Sequence, residues 1–365
     1  MSTFLDVFED VTKCGTKIPS NQYLPIGKYP IIDQGQNDVA GYINSEDGLF
    51  ENVPAIIFGD HTRVIKYVDK PCFLGADGVK LLKAKDSKAN YKYLYYVLSN
   101  AKIPDTGYNR HFKWLKEIDI PLYDEETQSN IVKELDKITD LIYKRKEQFS
   151  KLDKLVKARF VELFGDPVVN PKSWDTAQLS ALIVNANNGM ARRGKDADGS
   201  IVLRLVELQN GFINYSAPNR ICLNDTEKKR YALVDNDFLF ARVNGNPDYV
   251  GRCAVFKSID EPVFHNDHII RVHFDEAKIN GCFMSVLLNS DYGKRQMREQ
   301  IKTSAGQYTI SQDGIGAIMA ILPPLELQNQ FATFVEQTDK SKLEVQKSLE
   351  KLELLKKALM QKYFG

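Results

Sequence analysis

Residues 151–165 read KLDKLVKARFVELFG, and the last fifteen residues, 351–365, read KLELLKKALMQKYFG. A gapless shift of 200 positions aligns Gln128 with Gln328, Lys151 and Leu152 with Lys351 and Leu352, Leu155 with Leu355, Lys157-Ala158 with Lys357-Ala358, and Phe164-Gly165 with Phe364-Gly365. Internal self-similarity constrains a fold more than composition does, because each copy must find an equivalent surface to pack on. Both copies read as long helices. Neither contains Gly or Pro before its closing glycine, the usual helix-ending residue. The first follows IPLYDEETQ, whose Asp124, Glu125 and Glu126 suit the positive end of a helix dipole; the second follows ILPPLELQ, whose prolines suit a first turn. Each can run about 40 residues, roughly 60 Å.

Seven-residue spacing indicates what these helices pack against. In the first copy Ile131, Ile138 and Leu152 alternate with Leu135, Ile142, Phe149, Val156 and Leu163, interrupted by Arg145 and Arg159. In the second, Phe331, Val345, Leu352 and Leu359 alternate with Val335, Leu349 and Tyr363, interrupted by Thr338, Lys342 and Lys356. So narrow an apolar stripe suits a single partner helix, and the two copies are expected to form a coiled coil, most economically with each other. Leu135, Ile142, Phe149, Leu152, Val335, Leu349 and Leu352 are its candidate interface residues. The segments between the helices also correspond. VPAIIFGDHTRVIKYVD and NDFLFARVNGNPDYVGRCAVFK each read as two strands around a polar turn, YKYLYYVLSN and CFMSVLLNS as short amphipathic helices, and TGYNRHF and SAGQYTIS as Gly-centred loops. The expected organisation is a duplicated α+β fold: domain 1 over residues 1–121, a helix over 122–165, domain 2 over 166–323 and a helix over 324–365.

At 365 residues the chain is long enough for two cores. Its five cysteines (Cys14, Cys72, Cys222, Cys253, Cys282) are scattered and never spaced as CxxC, which argues against a disulfide framework or a zinc ribbon. No stretch approaches the length of a membrane span, and MSTFLDVFED lacks the basic start and apolar run of a signal peptide, so a cytoplasmic location is expected. A net charge of +1 excludes indiscriminate electrostatic binding of nucleic acid. Any such surface must be local or shared with a partner.

Three segments look catalytic and read better otherwise. GMARRGKD has the spacing of a phosphate-binding loop, but Asp196 stands where Ser or Thr should hold the metal, and the following ADGSIVLRLVEL suits a turn and strand. NPDY (Asn246 to Tyr249) is one proline short of the word with which N6-adenine methyltransferases hold their target, and suits a turn. HNDHIIRVH gathers His265, His268 and His273 but alternates like a strand, which turns positions three apart to opposite faces. The chain is expected to be no enzyme and to hold no metal or cofactor. What remains is a set of polar loops, DQGQND, GDHTR and TGYNRHFKW in domain 1 and NNGMARRGK, ARVNGN and KTSAGQYTIS in domain 2. Their Arg, Asn, Gln, His and Tyr side chains are those that pair with base edges, contact phosphates or stack.

The long helix running into FVELFGDPVVNPKSW, the IPLYDEETQ and LPPLELQ lead-ins and the duplication itself resemble the specificity subunit of type I restriction-modification systems, over essentially the full chain. The resemblance implies two target-recognition domains that each read one half of a split DNA target. It also implies two spacer helices, paired antiparallel with a pseudo-twofold relation, that set the gap and dock DNA methyltransferase subunits, two of them expected. S-adenosylmethionine, ATP and Mg2+ would then belong to those subunits and to a restriction translocase-nuclease, and any N-terminal segment of the family would be short here. The candidate contacts to double-stranded DNA are His61, Arg63, Asn109 and Arg110 in domain 1, and Arg192, Arg193, Arg242, Asn244, Lys302 and Gln307 in domain 2. Two other readings stay open: a stand-alone N6-adenine DNA methyltransferase using Asn246 to Tyr249, and a specificity-like subunit of a related phage-defence system.

Overall fold

The computed structural model of the protein describes residues 2–75, 77–107, 109–209, 211–304 and 306–365, with Ser304 described by its backbone alone. Tyr108 and Ala305, within two of the loops singled out above, lie outside them. The chain divides into two compact units, Met1–Gln148 with Val345–Gly365, and Phe149–Glu344.

The first unit runs β1 (Ser2–Thr3), α1 (Phe4–Val7), β2 (Phe8–Asp10), β3 (Lys17–Ile18), β4 (Tyr29–Ile32), β5 (Gly41–Ile43), β6 (Ala55–Gly59), β7 (Ile65–Val68), β8 (Phe73–Gly75), β9 (Val79–Ala84), α2 (Tyr91–Ser99), α3 (Phe112–Leu115) and β10 (Asp119–Ile120), and then enters α4 (Glu125–Phe164). An antiparallel sheet of order β2-β9-β6-β7 holds the core. Every residue of β6 is buried, as a wholly apolar central strand requires. A second sheet, β3-β8-β4-β5, pairs β8 in parallel with both β3 and β4, and β1 pairs antiparallel with β10. Helix α2 is capped by Asn90, whose Oδ1 accepts from the Tyr93 amide at 3.1 Å, and it buries Tyr93, Leu94, Tyr96 and Leu98.

The second unit runs β11 (Asp175–Gln178), β12 (Ile183–Asn188), β13 (Ser200–Leu203), β14 (Arg220–Ile221), α5 (Asp225–Tyr231), β15 (Asp237–Ala241), β16 (Val243–Asn244), β17 (Cys253–Val255), β18 (Val263–His265), β19 (Ile269–Phe274), α6 (Gly281–Asn289), α7 (Asp291–Gln300), β20 (Lys302–Ser304), β21 (Gln307–Thr309), α8 (Gln312–Gly316), β22 (Met319–Leu322) and α9 (Leu325–Phe364). Its main sheet, β12-β19-β15-β17, is antiparallel and repeats the strand order of the first, with β15 fully buried where β6 is. The β13–β18 pair is parallel, as β4–β8 is, and β11 pairs with β22 as β1 does with β10. Among the described residues, α5, α7 and the small sheet β16-β21-β20 have no counterpart in the first unit. The segment HNDHIIRVH is not one strand. Asn266 and Asp267, both turn-forming residues, separate β18 from β19 and place His268 in the turn.

The repeat has a structural cause at each end. Gln128 Nε2 donates to the Tyr123 carbonyl at 2.8 Å, and Gln328 Nε2 donates to the Pro323 carbonyl at 2.8 Å, so the repeated glutamine fastens the same turn onto each long helix. At the far end Gly165, with φ of 79°, closes α4. Each domain core is sealed by the start of one long helix and the end of the other. In the first unit Ile131 and Leu135 share a core with Met360 and Phe364; in the second Phe331 and Val335 share one with Phe160 and Phe164.

Within each unit the two helix segments run antiparallel. Tyr363 Oη donates to Glu134 Oε2 at 2.7 Å and Lys146 pairs with Glu353 at 3.1 Å in the first unit, while Lys342 pairs with Asp153 at 2.7 Å in the second. On the seam Leu135 and Val335 are buried, and Ile142, Phe149, Leu152, Leu349 and Leu352 are half-buried. The polar interruptions are absorbed locally. Arg145 Nη1 bonds Gln148 at 2.7 Å, the Arg159 guanidinium lies 5.8 Å from the Phe334 ring centre, and Thr338 returns its hydroxyl to the Phe334 carbonyl at 2.9 Å. Burial holds the Lys356 ammonium below its ordinary pKa.

Candidate nucleic-acid interface

In the first unit all four candidate residues come together beyond the end of β6. His61 and Arg63 lie in the β6–β7 turn, and Asn109 and Arg110 in the loop that precedes α3. The His61 ring nitrogen Nδ1 is 3.2 Å from the Asn109 carbonyl, and Arg63 Nη2 donates to Asp105 Oδ2 at 2.8 Å. That carboxyl sits below the usual range, first through the Gly107 amide and then through Arg63. The loop 33–37 joins the cluster, with Gln34 Oε1 accepting from the His61 amide at 3.2 Å and its carbonyl accepting from Thr62 Oγ1 at 2.6 Å. Arg110 is exposed and has no ion-pair partner among the described residues.

In the second unit the candidates divide. Arg192 is committed to Glu227, donating from Nε at 3.0 Å and from Nη2 at 2.8 Å; this contact is the largest cause of that carboxyl's lowered pKa. Arg193 and Arg242 converge on the β18–β19 turn: Arg193 Nη2 donates to Asp267 Oδ1 at 2.6 Å, and Arg242 Nη1 to the Asp267 carbonyl at 3.1 Å. His268 in that turn is pushed below its ordinary pKa, first by burial; Asp267 opposes the shift and the two arginines add to it. Asn244, Lys302 and Gln307 lie together on the small sheet that begins directly after Arg242, with Asn244 opposite Tyr308 and Lys302 opposite Thr309.

The two clusters occupy the same place on the same scaffold. The Asp60 amide donates to the Gly78 carbonyl at 2.6 Å, and the Asp60 carbonyl accepts from the His111 amide at 2.7 Å. The Arg242 amide donates to the His268 carbonyl at 2.8 Å, and the Arg242 carbonyl accepts from the Ile310 amide at 2.9 Å. Asp60 and Arg242 are thus one backbone position carrying opposite charges. Asp60, His111, Asp105 and Asp267 hold these loops through partners remote in the chain and carry no local sequence signal for that role, while Thr106 bonds within its own loop to Asn109 and His111.

The enzyme-like segments resolve into structure. After GMARRGKD comes β13 rather than a helix. Asn246 to Tyr249 forms a short turn in which Asn246 Oδ1 accepts from the Asp248 amide at 2.9 Å. His273 Nδ1 lies 3.0 Å from Asp237 Oδ1, whereas His265 is wholly buried with Nδ1 3.3 Å from the Tyr231 carbonyl. Among the described residues no three His, Cys, Asp or Glu side chains converge as a metal site, and no helix is long and apolar enough to cross a membrane.

Burial lowers the His265 pKa to about 4. Because this lies below the unfolded value of about 6.5, the unfolded state holds the extra proton between these limits; stability is full above them and falls as pH drops toward 4. Urea unfolding followed at Trp174 in a Trp114→Phe background is expected to lose about 1 kcal/mol from this group between pH 7 and pH 5.5. A His265→Gln chain is expected to lack that increment, and an equal pH slope in both would refute it.

Residues 1–150 match the family described as the type I restriction modification DNA specificity domain. The specificity subunit of the type I restriction enzyme StySPI from Salmonella potsdam is 33% identical over 196 residues, 52% of this chain and 42% of that protein. That of EcoKI from Escherichia coli (strain K12) is 23% identical over 266 residues, 68% of this chain and 57% of that protein. The chain therefore spans about half the length of these curated relatives. The solved S subunit of a type I restriction-modification system from M. genitalium superposes with a TM-score of 0.61 at 17% identity, covering 100% of this chain and 95% of that one, which shows a shared fold. Residues 1–150 therefore carry the type I restriction modification DNA specificity domain, and the chain as a whole shares its fold with a solved S subunit of a type I restriction-modification system.

Proposed function

We propose that the chain is the DNA sequence-recognition subunit of a type I restriction-modification complex. Each globular unit reads one half of a bipartite target, and the paired helices set the gap and dock methyltransferase subunits, two per chain. The observation that carries this reading is the presence, on two separately built copies of one scaffold, of polar loop clusters at the same backbone position, Asp60 in one and Arg242 in the other. A bipartite reader needs such a pair, with equal frames and unlike side chains. The near-neutral charge supports a division of labour in which partner subunits supply much of the phosphate affinity.

The chain is itself non-catalytic in this reading and works in the cytoplasm. S-adenosylmethionine sits on the methyltransferase subunits, and ATP and Mg2+ serve the assembled complex with its translocase-nuclease. The turn at Asn246 to Tyr249, fixed by an ion pair from Arg298 to Asp248, gives no support to a stand-alone methyltransferase. Purified alone, the chain is expected to bind no S-adenosylmethionine and to leave DNA unmethylated. Joined to its methyltransferase subunits, it is expected to direct methylation to a split sequence, read by sequencing methylated bases in cells that carry both. Methylation by the isolated chain would overturn the proposal.

A further inference from the structure

We infer that His111 is a positioning residue for the first reading domain: through Asp60 and Thr106 it fixes the loop that presents Asn109 and Arg110. This rests on the reading of that domain as a half-site reader. His111 is wholly buried. Its Nδ1 lies 3.0 Å from the Asp60 carbonyl, which can only accept, so Nδ1 donates there, and in the neutral tautomer this selects Nε2 offers a lone pair. Thr106 Oγ1, 3.4 Å from Nε2, is then the donor. The Asn109 side-chain Nδ2 in turn donates to Thr106, at its carbonyl and, at 3.3 Å, at Oγ1. Asp60 completes the tie by accepting the Phe112 amide at 2.8 Å on Oδ1, capping α3. A continuous relay thus runs from the end of β6 to the loop tip.

A satisfied core histidine would be the plainer reading, and the second unit argues against it. Ile310 occupies the position of His111 there, with the same backbone bond to its neighbour, so the slot accepts an apolar side chain. Burying a polar ring where a hydrocarbon fits is costly unless the ring's bonds do something. The second unit's loop closes as the hairpin β20–β21 and pairs with β16, so its shape is set by backbone bonds. The first unit's loop has no such hairpin among the described residues, and side chains hold it instead.

The test uses the chain with its methyltransferase subunits in cells otherwise free of methylation, with methylated bases sequenced for wild type, His111→Phe, Thr106→Val and the double variant. His111→Phe keeps an aromatic ring beside Trp114 and removes both hydrogen bonds; Thr106 is exposed, so its variant folds even where the other does not. Both single variants are expected to relax the same one half of the motif, raising methylation at single-mismatch sites there about tenfold. The other half should stay strict, and the double variant should go no further than either single one, as for members of one network. A first half still strict in Thr106→Val, or equal relaxation of both halves, overturns the inference alone. A wild-type complex that writes no bipartite motif overturns the half-site reading and the inference with it.

Discussion

Phe331→Ala is expected to destabilise the second unit by about 3–5 kcal/mol, the cost of truncating a fully buried phenylalanine whose surroundings relax only partly. Phe331 has no exposed surface and stands edge-on to two rings from the end of α4, with centroids 5.6 Å from Phe160 and 5.4 Å from Phe164. Phe283 from α6 closes the cluster, stacked on Phe160 and edge-on to Phe164 at 4.7 Å. One side chain therefore joins the start of α9, the end of α4 and the domain they seal. Against a typical total stability of about 5–15 kcal/mol the loss is large. Trp174, whose Nε1 donates to the Phe164 carbonyl at 2.9 Å, is a reporter at the same junction. In a Trp114→Phe background the urea midpoint at Trp174 should fall sharply, and an unmoved midpoint would show that the helix end is not seated in this core.

That cluster also shows what the sequence made legible. Phe164 and Phe364 stood out as repeated closing residues because helix periodicity and the shift of 200 positions are carried by the chain locally. The same holds for the long helices, for β6 and β15 as apolar runs around polar turns, and for α2 and α6. The reason for the repeated glutamines needed coordinates, since a bond from Gln328 to the Pro323 carbonyl leaves no periodic trace. Strands of two or three residues are too short to show alternation, and so SAGQYTIS read as a loop although it contains β21, which pairs with β20. Composition marked the polar loops, but the sorting of their side chains depends on partners remote in sequence. Arg63 meets Asp105 across 42 positions, Arg192 meets Glu227 across 35, and Arg193 meets Asp267 across 74. A rule that favours arginine as a base reader cannot tell these from an uncommitted arginine.

Arg242 is the side chain that this sorting favours as a reader, and Arg242→Ala is expected to weaken recognition of one half-site about 5- to 150-fold, the worth of one good bidentate base contact at roughly 1–3 kcal/mol. Its backbone is fixed on both sides, by His268 and Ile310, and a single guanidinium bond to the Asp267 carbonyl steadies the side chain. Arg192, tied at two atoms to Glu227, spends its fork on the fold, and its loss should lower stability more than selectivity. The Asp60 equivalence sharpens the expectation further. In the first unit the carboxylate at this position turns inward to cap α3, but in the second Ser311 caps α8 by accepting from the Gly314 amide at 3.0 Å, so the side chain at 242 is released from that duty. Arg242→Lys separates charge from geometry, since an ammonium keeps attraction to phosphate and lacks the planar fork. With methylation rates measured on duplexes altered in one half at a time, both variants should lose discrimination at one half and keep it at the other, lysine retaining more of the overall rate. Equal losses at both halves would remove Arg242 from the reading surface and leave Asn244, Lys302 and Gln307 on the adjoining sheet as the next side chains to vary.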